Sequence, residues 1–171
     1  MGHEIMHSFD DQGRRYDEYG NGKQWWSKVT LKKYLEKVRC IIDQYHQYYL
    51  PVEGVNYHVD GYLTQGENIA DNGGVRAAFE GYRQHAKKSP IQNKLPGLMD
   101  LTPDQLFFLG YAQVWCGNAT PKAVKDMILG ETHSPNRIRV LGTLSNYEEF
   151  SKAWHCPADS PMNPVKKCSL W

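Results

Sequence analysis

The sequence HEIMH at residues 3–7 is the pattern with the greatest capacity for chemistry. On a helix, His3 and His7 lie one turn apart on the same face, where two neutral imidazoles can bind one zinc ion. Glu4 follows His3 directly, and a carboxylate there can polarise a water molecule and accept its proton. The alternative is a surface helix with incidental histidines and glutamate, and we favour the metal site over it.

A third protein ligand is expected, because a catalytic zinc site usually has three and leaves a fourth position open. The sequence ENIAD at residues 67–71 places Glu67 and Asp71 at i and i+4, on one face of a helix. Glu67 would complete a set of two histidines and one glutamate, and Asp71 could accept the free ring N–H of one histidine ligand. An isolated Glu and Asp at this spacing more often lie on a solvated helix face. The presence of HEIMH in the same sequence is what favours a functional role.

A further group of candidate residues lies in the sequence HSPNRIR at residues 133–139. His133 could donate a hydrogen bond to the negative oxygen that develops during peptide hydrolysis. Arg139 could hold a substrate carbonyl or carboxylate with its fork of donors. A lone histidine near a proline is more often structural, so the spacing alone assigns no role.

The composition restricts the class of protein. The 171 residues are enough for one ordinary domain, and they are 40% hydrophobic and 23% charged, as in a globular protein. A net charge of +1 argues against a nucleic-acid-binding surface. No run approaches the roughly 18 apolar residues of a membrane span. The polar first residues give no indication of a signal peptide.

The four cysteines, Cys40, Cys116, Cys156 and Cys168, form no C-x-x-C pair, which disfavours a zinc ribbon. Their number fits a secreted disulfide framework or four buried thiols equally well. Asn118 begins an N-x-T sequence, which is the acceptor pattern for N-glycosylation. That pattern is common by chance, so it favours an extracellular protein only slightly.

The spacing of apolar residues predicts a mainly α-helical chain with little sheet. A helix is expected from Ser27, with an apolar stripe at helical period from Val29 to Tyr45. A second helix is expected over about residues 64–85, although Gly73 and Gly74 weaken its middle. Residues 106–115 are apolar nearly all round, which predicts a helix in the core.

Capping signals and breakers mark the other boundaries. Helix starts are indicated at Thr102-Pro103 and at Thr120-Pro121. A third is indicated at Ser145, where a glutamate three residues later completes a capping box for a short helix toward Trp154. Glycine and proline interrupt the helical patterns at residues 10–24, 51–61 and 88–101, the last of which contains Pro90 and Pro96. The tail at residues 157–171 is predicted to be extended.

The chain resembles the C-terminal catalytic portion of the neprilysin and endothelin-converting enzyme family of zinc metallopeptidases. The resemblance covers nearly the whole chain, in blocks that occur in the family's order. These blocks are GHEIMHSFDDQGRRYDEYGN, the Trp25-Trp26 pair, LTQGENIADNGG, LPGL, QLFFLGYAQVWC, HSPNRIRVLGTLSN and SPMNPVKKCSLW. The resemblance implies a thermolysin-like domain of the gluzincin type, of which residues 1–171 form one partial catalytic domain.

The resemblance also implies a role for each candidate residue. One zinc ion per chain would be bound by His3, His7 and Glu67. Glu4 would be the general base and later the proton donor to the leaving amine, while Asp71 would orient a histidine ligand. His133 would stabilise the oxyanion, and Arg139 would hold the substrate backbone.

Val114 and Trp115 resemble residues that line the family's S1′ pocket, which accepts large hydrophobic side chains. Packing within the helix core is an equally good interpretation of both residues. The implied activity is that of a zinc-dependent endopeptidase, which uses zinc-activated water to cleave oligopeptides on the amino side of hydrophobic residues. A truncated fragment that binds zinc or a partner without catalysis is the alternative, because the family's substrate-aligning strand and N-terminal region are not in this sequence.

The resemblance also implies how the cysteines pair and where the protein is located. It implies a disulfide between Cys40 and Cys168, and partners for Cys116 and Cys156 in the missing N-terminal portion. It also implies an ectoenzyme at the plasma membrane or a secreted enzyme, with contact to the membrane only through an N-terminal anchor outside this sequence. No nucleic-acid partner is expected.

Overall fold

The computed structural model describes residues 1–88, 97–98 and 100–170, and within them it is mainly helical. No helix among these residues is both long and apolar enough to cross a bilayer. The helices are α1 (Gly2–Met6), α2 (Lys28–Tyr45), α3 (Gln65–Lys88), α4 (Pro103–Val114), α5 (Pro121–Gly130), α6 (Asn136–Ser145) and α7 (Glu148–Ala153). Short 3-10 turns occupy His7–Phe9 and Gly13–Arg15, and strands β1 (Tyr49–Val52) and β2 (Val55–His58) form the sheet.

Side-chain caps begin three of the helices. Ser27 accepts a hydrogen bond from the backbone N–H of Thr30 at the start of α2. Thr102 and Gln105 form a reciprocal capping box before α4, and Thr120 caps α5. The starts that the sequence predicts at residues 102 and 120 are therefore confirmed.

A hairpin of four-residue strands lies between α2 and α3. Tyr49 pairs with His58 and Val52 with Val55 in antiparallel register. Glu53 and Gly54 turn the chain with φ values of 50° and 83°, as a tight two-residue hairpin loop requires. The sequence indicates only a break here, because strands this short carry too few positions for a period of two to be visible. The expectation of little sheet is confirmed.

Two hydrophobic clusters lie along α3. Its first half contributes Ile69 to a cluster with α2, and its second half contributes Phe79 to an aromatic cluster with α4 and α7. The first cluster comprises Tyr34, Val38, Ile41, Ile42, Tyr45, Val59, Ile69, Ile128, Ile138, Cys168 and Leu170. The second comprises Val75, Phe79, Phe108, Leu144 and Tyr147. Because α3 contributes to both clusters, packing along its length holds this helix in position.

Three local predictions differ from the structure. Gly73 and Gly74 do not interrupt α3, which runs through them as a buried stretch. The short helix predicted before Trp154 is present as α7, but Ser145 does not cap it: Ser145 ends α6, and its hydroxyl donates to the carbonyl of Gly142. The helix α4 is only partly in the core. Phe108 alone among its described residues is buried, because only one side of α4 faces the aromatic cluster.

The C-terminal segment is tied to α2 by a disulfide. Cys40 and Cys168 are bridged, which agrees with the pairing that the family resemblance implies. Cys116 is exposed and Cys156 is partly buried, and both are free thiols. The described part of the tail, residues 157–170, contains turns and one isolated bridge between Ser160 and Asn163. Most of the predicted connection at residues 88–101, with Pro90 and Pro96, lies outside the described residues.

Candidate metal centre

The helix α1 lies against α3 through a contact that only glycine permits. A Cβ atom at Gly74 would lie 2.6 Å from the backbone nitrogen of His3. A Cβ at Gly2 would lie 2.6 Å from the carbonyl oxygen of Gly74. Carbon atoms do not normally approach backbone atoms this closely, so glycine on both helices allows the two backbones to touch. This contact brings HEIMH next to ENIAD.

Three donor atoms converge where α1 meets α3. Nε2 of His3 lies 3.1 Å from Nε2 of His7 and 3.1 Å from Oε2 of Glu67. Nε2 of His7 lies 3.6 Å from Oε1 of Glu67. In the described part of the chain, these three residues are the one group of histidine, cysteine and acidic side chains that could share a metal ion.

The other ring nitrogen of each histidine is bound to a carboxylate. Nδ1 of His3 lies 2.8 Å from Oδ1 of Asp71, and Nδ1 of His7 lies 2.7 Å from Oδ2 of Asp10. An ionised carboxylate accepts but does not donate, so each Nδ1 must carry the proton. In a neutral imidazole, Nε2 then presents a lone pair. Two lone pairs and the Glu67 carboxylate therefore face one point.

These donors fit a zinc ion. Ligands at about 2.0–2.1 Å in a tetrahedral site are separated from one another by roughly 3.3 Å. The observed separations of 3.1, 3.1 and 3.6 Å lie on either side of that value. When both imidazoles are neutral, the Nε2 lone pairs of His3 and His7 point at one another and repel. A cation between them would remove this repulsion.

Asp10 is a residue of the site that the sequence analysis did not identify. Its Oδ2 binds His7, while its Oδ1 accepts the backbone N–H groups of Gln12 and Gly13 at 2.8 and 2.6 Å. It is 6% exposed. The available signal was a carboxylate three residues after the second histidine, where the chain leaves the helix and can turn back toward the ring.

Asp71 also holds Arg139 in a two-pronged ion pair. Nε and Nη2 of Arg139 donate to the Asp71 carboxylate at 2.7 and 2.9 Å, and both residues are buried. The guanidinium lies over the ring of Trp115, with its central carbon 4.0 Å from the ring centroid. One carboxylate thus fixes both a histidine of the site and an arginine beside it.

The electrostatics of the site follow from these contacts. The hydrogen bond that His3 donates to Asp71 is the largest influence on the imidazole and raises the pKa of His3, against a smaller effect of desolvation. Burial lowers the pKa of Arg139, but the hydrogen bond and charge of Asp71, with the charge of Glu67, outweigh it and leave that pKa raised. Arg139 therefore remains charged in its buried position.

His133 approaches the same glutamate from the loop before α6. Its Nε2 lies 3.2 Å from Oε2 of Glu67, and its side chain is 49% exposed. Nη2 of Arg139 lies 3.5 Å from the same oxygen. The two candidate residues of HSPNRIR are thus next to the donor group, and His133 is open to solvent on its other side.

The remaining candidate residues differ in how far they are exposed. Glu4 is exposed on α1, one residue after His3. Val114 is 74% exposed at the end of α4, so it does not pack in the core of the described chain. Trp115 is partly buried under Arg139, and Asn118 is exposed in the loop that follows.

Comparison with known proteins places the chain in a family of peptidases. A model of peptidase family M13 matches residues 1–170. Neprilysin-2 of Drosophila melanogaster is 50% identical over 171 residues, and endothelin-converting enzyme 1 of Homo sapiens is 47% identical over 171 residues. Both matches cover 100% of this chain, which spans only 22% of the length of either relative.

Solved structures show the same fold at lower identity. The crystal structure of Mycobacterium tuberculosis zinc metalloprotease Zmp1 in complex with an inhibitor superposes with a TM-score of 0.84 and 32% identity. It covers 98% of this chain and 26% of its own. A Haemonchus galactose-containing glycoprotein complex superposes with a TM-score of 0.88 and 32% identity, covering 99% of this chain and 28% of its own.

Proposed function

This chain belongs to peptidase family M13, and on that basis we propose that it provides the zinc centre of an endopeptidase that hydrolyses oligopeptides. The observation that carries the proposal is the convergence of two histidine Nε2 atoms and one carboxylate, with both Nδ1 atoms bound to carboxylates. We further propose that residues 1–171 are one part of a larger catalytic domain, since the chain spans 22% of the relatives that it matches.

The proposed ligands of a single zinc ion are His3, His7 and Glu67. When bound, zinc supplies a Lewis acid that polarises a carbonyl and makes water a stronger nucleophile at neutral pH. Asp71 and Asp10 keep the two imidazoles in the tautomer that leaves Nε2 unprotonated. The protein's contribution to zinc binding is therefore to keep each imidazole in the tautomer whose Nε2 can bind the ion.

The proton transfers are assigned to Glu4. Its exposed carboxylate takes a proton from the attacking water and returns it to the amine that leaves. His133 donates to the oxygen that becomes negative at the former carbonyl. Arg139 has Nε and Nη2 bound to Asp71, which leaves Nη1 to donate to a backbone carbonyl of the substrate.

The proposed substrates are peptides cleaved on the amino side of a hydrophobic residue. Val114 is highly exposed, and Trp115 lies directly beneath the Arg139 guanidinium. An apolar side chain that follows the scissile bond could contact these two residues while Arg139 holds its backbone. This arrangement supports an S1′ role for Val114 and Trp115.

An extracellular location is proposed from the covalent features of the chain. The disulfide between Cys40 and Cys168 is of a kind that persists in oxidising compartments. Asn118 is exposed, as a glycosylated asparagine must be. Cys116 and Cys156 would pair with cysteines in other parts of the polypeptide, and any membrane anchor would lie there too.

The test combines zinc content with peptide hydrolysis. The protein should bind about one zinc ion per chain, and His7→Ala should abolish binding. A quenched fluorescent peptide with a large hydrophobic residue should be cleaved, and Glu4→Gln should abolish cleavage while zinc remains bound. Glu18→Gln, which neutralises another exposed carboxylate, is the control and should retain activity.

Two results would contradict parts of the proposal. Cleavage by Glu4→Gln at the wild-type rate would remove Glu4 as the base. Zinc binding without any hydrolysis by the wild-type protein would favour the alternative of a non-catalytic zinc-binding fragment.

A further inference from the structure

A buried hydrogen bond joins the neighbours of two residues of the site. The Ser134 hydroxyl donates to Oδ1 of Asn68 at 2.8 Å. Ser134 follows His133 directly, and Asn68 follows Glu67 directly. Asn68 is 0% exposed and Ser134 is 1% exposed, so water does not compete for this bond. We call these two residues the Asn68–Ser134 pair.

The direction of this bond is fixed by the groups behind it. Thr64 donates its hydroxyl proton to the carbonyl oxygen of Asp60 at 2.8 Å, so its oxygen is left to accept. The side-chain nitrogen of Asn68 donates to that oxygen at 2.9 Å. The carbonyl oxygen of Asn68 must then face Ser134, which donates to it. The donor and the acceptor of each hydrogen bond from Ser134 through Asn68 to Thr64 are therefore fixed.

The Asn68–Ser134 pair also defines one end of a segment that is held at both ends. At the other end, Arg139 is bound to Asp71, which lies three residues beyond Asn68 on α3. Between them, Pro135 restricts the backbone with φ of −53°, and its carbonyl accepts the first hydrogen bonds of α6. The side chain of His133 is half exposed, so its position depends on its backbone more than on packing.

We propose that Ser134 is a positioning residue that places His133 beside Glu67 through the Asn68–Ser134 pair. The ring of His133 lies 3.2 Å from the Glu67 carboxylate because the two residues that follow them are bound to one another. Ser134 would touch neither substrate nor zinc, and it would act only through His133. The catalytic part of this inference rests on the proposed function.

The test is a double-mutant cycle in the purified protein. Ser134→Ala should lower kcat for the quenched peptide by about tenfold or more, since a displacement of about 1 Å in a catalytic group can cost up to a hundredfold. KM and the zinc dissociation constant should change less than about threefold, because no zinc ligand moves. In a His133→Ala background, Ser134→Ala should have no further effect on kcat, because both changes remove the same contribution.

Ser145→Ala is the matched control. Ser145 is 2% exposed, and it also donates a hydroxyl hydrogen bond, in this case to the carbonyl of Gly142. It lies away from His133, so its loss should lower the melting temperature without lowering kcat. Equal losses of kcat in Ser134→Ala and Ser145→Ala, or a full further loss of kcat in the His133→Ala background, would overturn the positioning role.

A spectroscopic readout separates this inference from the peptidase proposal. With histidine-labelled protein, NMR should show a nuclear Overhauser contact between the His133 ring and the Glu67 side chain. Ser134→Ala should lose that contact, while Ser145→Ala keeps it. If the protein hydrolyses nothing but the contact behaves in this way, the proposed activity fails and the positioning survives. If the contact persists in Ser134→Ala, the inference is wrong whatever the activity.

Discussion

Replacing Gly74 by alanine should weaken zinc binding far more than it weakens the fold. The new Cβ would lie 2.6 Å from the His3 nitrogen, 2.8 Å from its Cα and 3.0 Å from the Gly2 carbonyl carbon. Ordinary contacts of a Cβ lie at 3.4–4 Å, so the two helices must separate by roughly 1 Å. All the atoms in conflict are backbone, and no flexible side chain can move aside.

The strain should be relieved by moving α1, because α1 has no buried residue and α3 runs through both hydrophobic clusters. His3 then shifts from Glu67 and Asp71, whereas zinc–ligand distances tolerate only about 0.2 Å. Overpacking of this kind costs about 1–3 kcal/mol. At about 1.4 kcal/mol for each factor of ten, zinc affinity should fall about 10- to 100-fold.

The assay is a competition titration against a chromophoric chelator, with thermal unfolding of the zinc-free protein measured in parallel. Gly81→Ala is the control, since Gly81 also lies in α3 and a Cβ there meets nothing within 4 Å. It should leave zinc affinity unchanged and stabilise the helix by about 0.5–1 kcal/mol. Zinc affinity of Gly74→Ala within twofold of wild type would refute the argument that this contact places His3.

Three further predictions concern stability. Asp71→Asn should lower the free energy of unfolding by about 3–5 kcal/mol in urea titrations, because it removes the charge that pairs with two donors of a buried guanidinium, and should lower zinc affinity about 10- to 100-fold. Asp43→Asn, which breaks an exposed ion pair, should cost less than about 1 kcal/mol, and equal effects of the two changes would contradict this reasoning. Removing the bridge between Cys40 and Cys168, which are 128 residues apart, should cost up to about 5 kcal/mol by loop entropy; unchanged urea midpoints would argue against it. Burial raises the pKa of Tyr147 to about 12 from an ordinary value of 10, so stability should fall as pH rises between these values. The Tyr147 hydroxyl has no partner among the described residues, so Tyr147→Phe should reduce that alkaline loss of stability without lowering stability at pH 7, as followed by circular dichroism.

Local signals in the sequence predicted most of the helices correctly. The apolar stripe of α2 and the caps at Thr102 and Thr120 depend on residues within one or two turns, and such patterns survive in the folded chain. The apparent cap at Ser145 misled because its hydroxyl is used within α6. The glycines of α3 misled because a contact with α1, distant in sequence, compensates for their poor helix propensity.

In the site too, features set by nearby residues could be predicted from the sequence, and features set by tertiary packing could not. The spacing of His3 and His7, and of Glu67 and Asp71, can be interpreted within single turns of helix. Which histidine Asp71 binds, and that it also binds Arg139, depends on how three segments pack together. Periodicity contains no information on that packing.

The absence of any buried residue in α1 has a consequence for dynamics. A five-residue helix is far too short to be stable alone, so without metal its amide protons should exchange with solvent through cheap local opening. A zinc ion would join His3 and His7 to Glu67 across the two helices. When free zinc is at a thousandfold excess over its dissociation constant, binding stabilises the folded protein by about 4.1 kcal/mol. Slower amide exchange should therefore be seen first in α1.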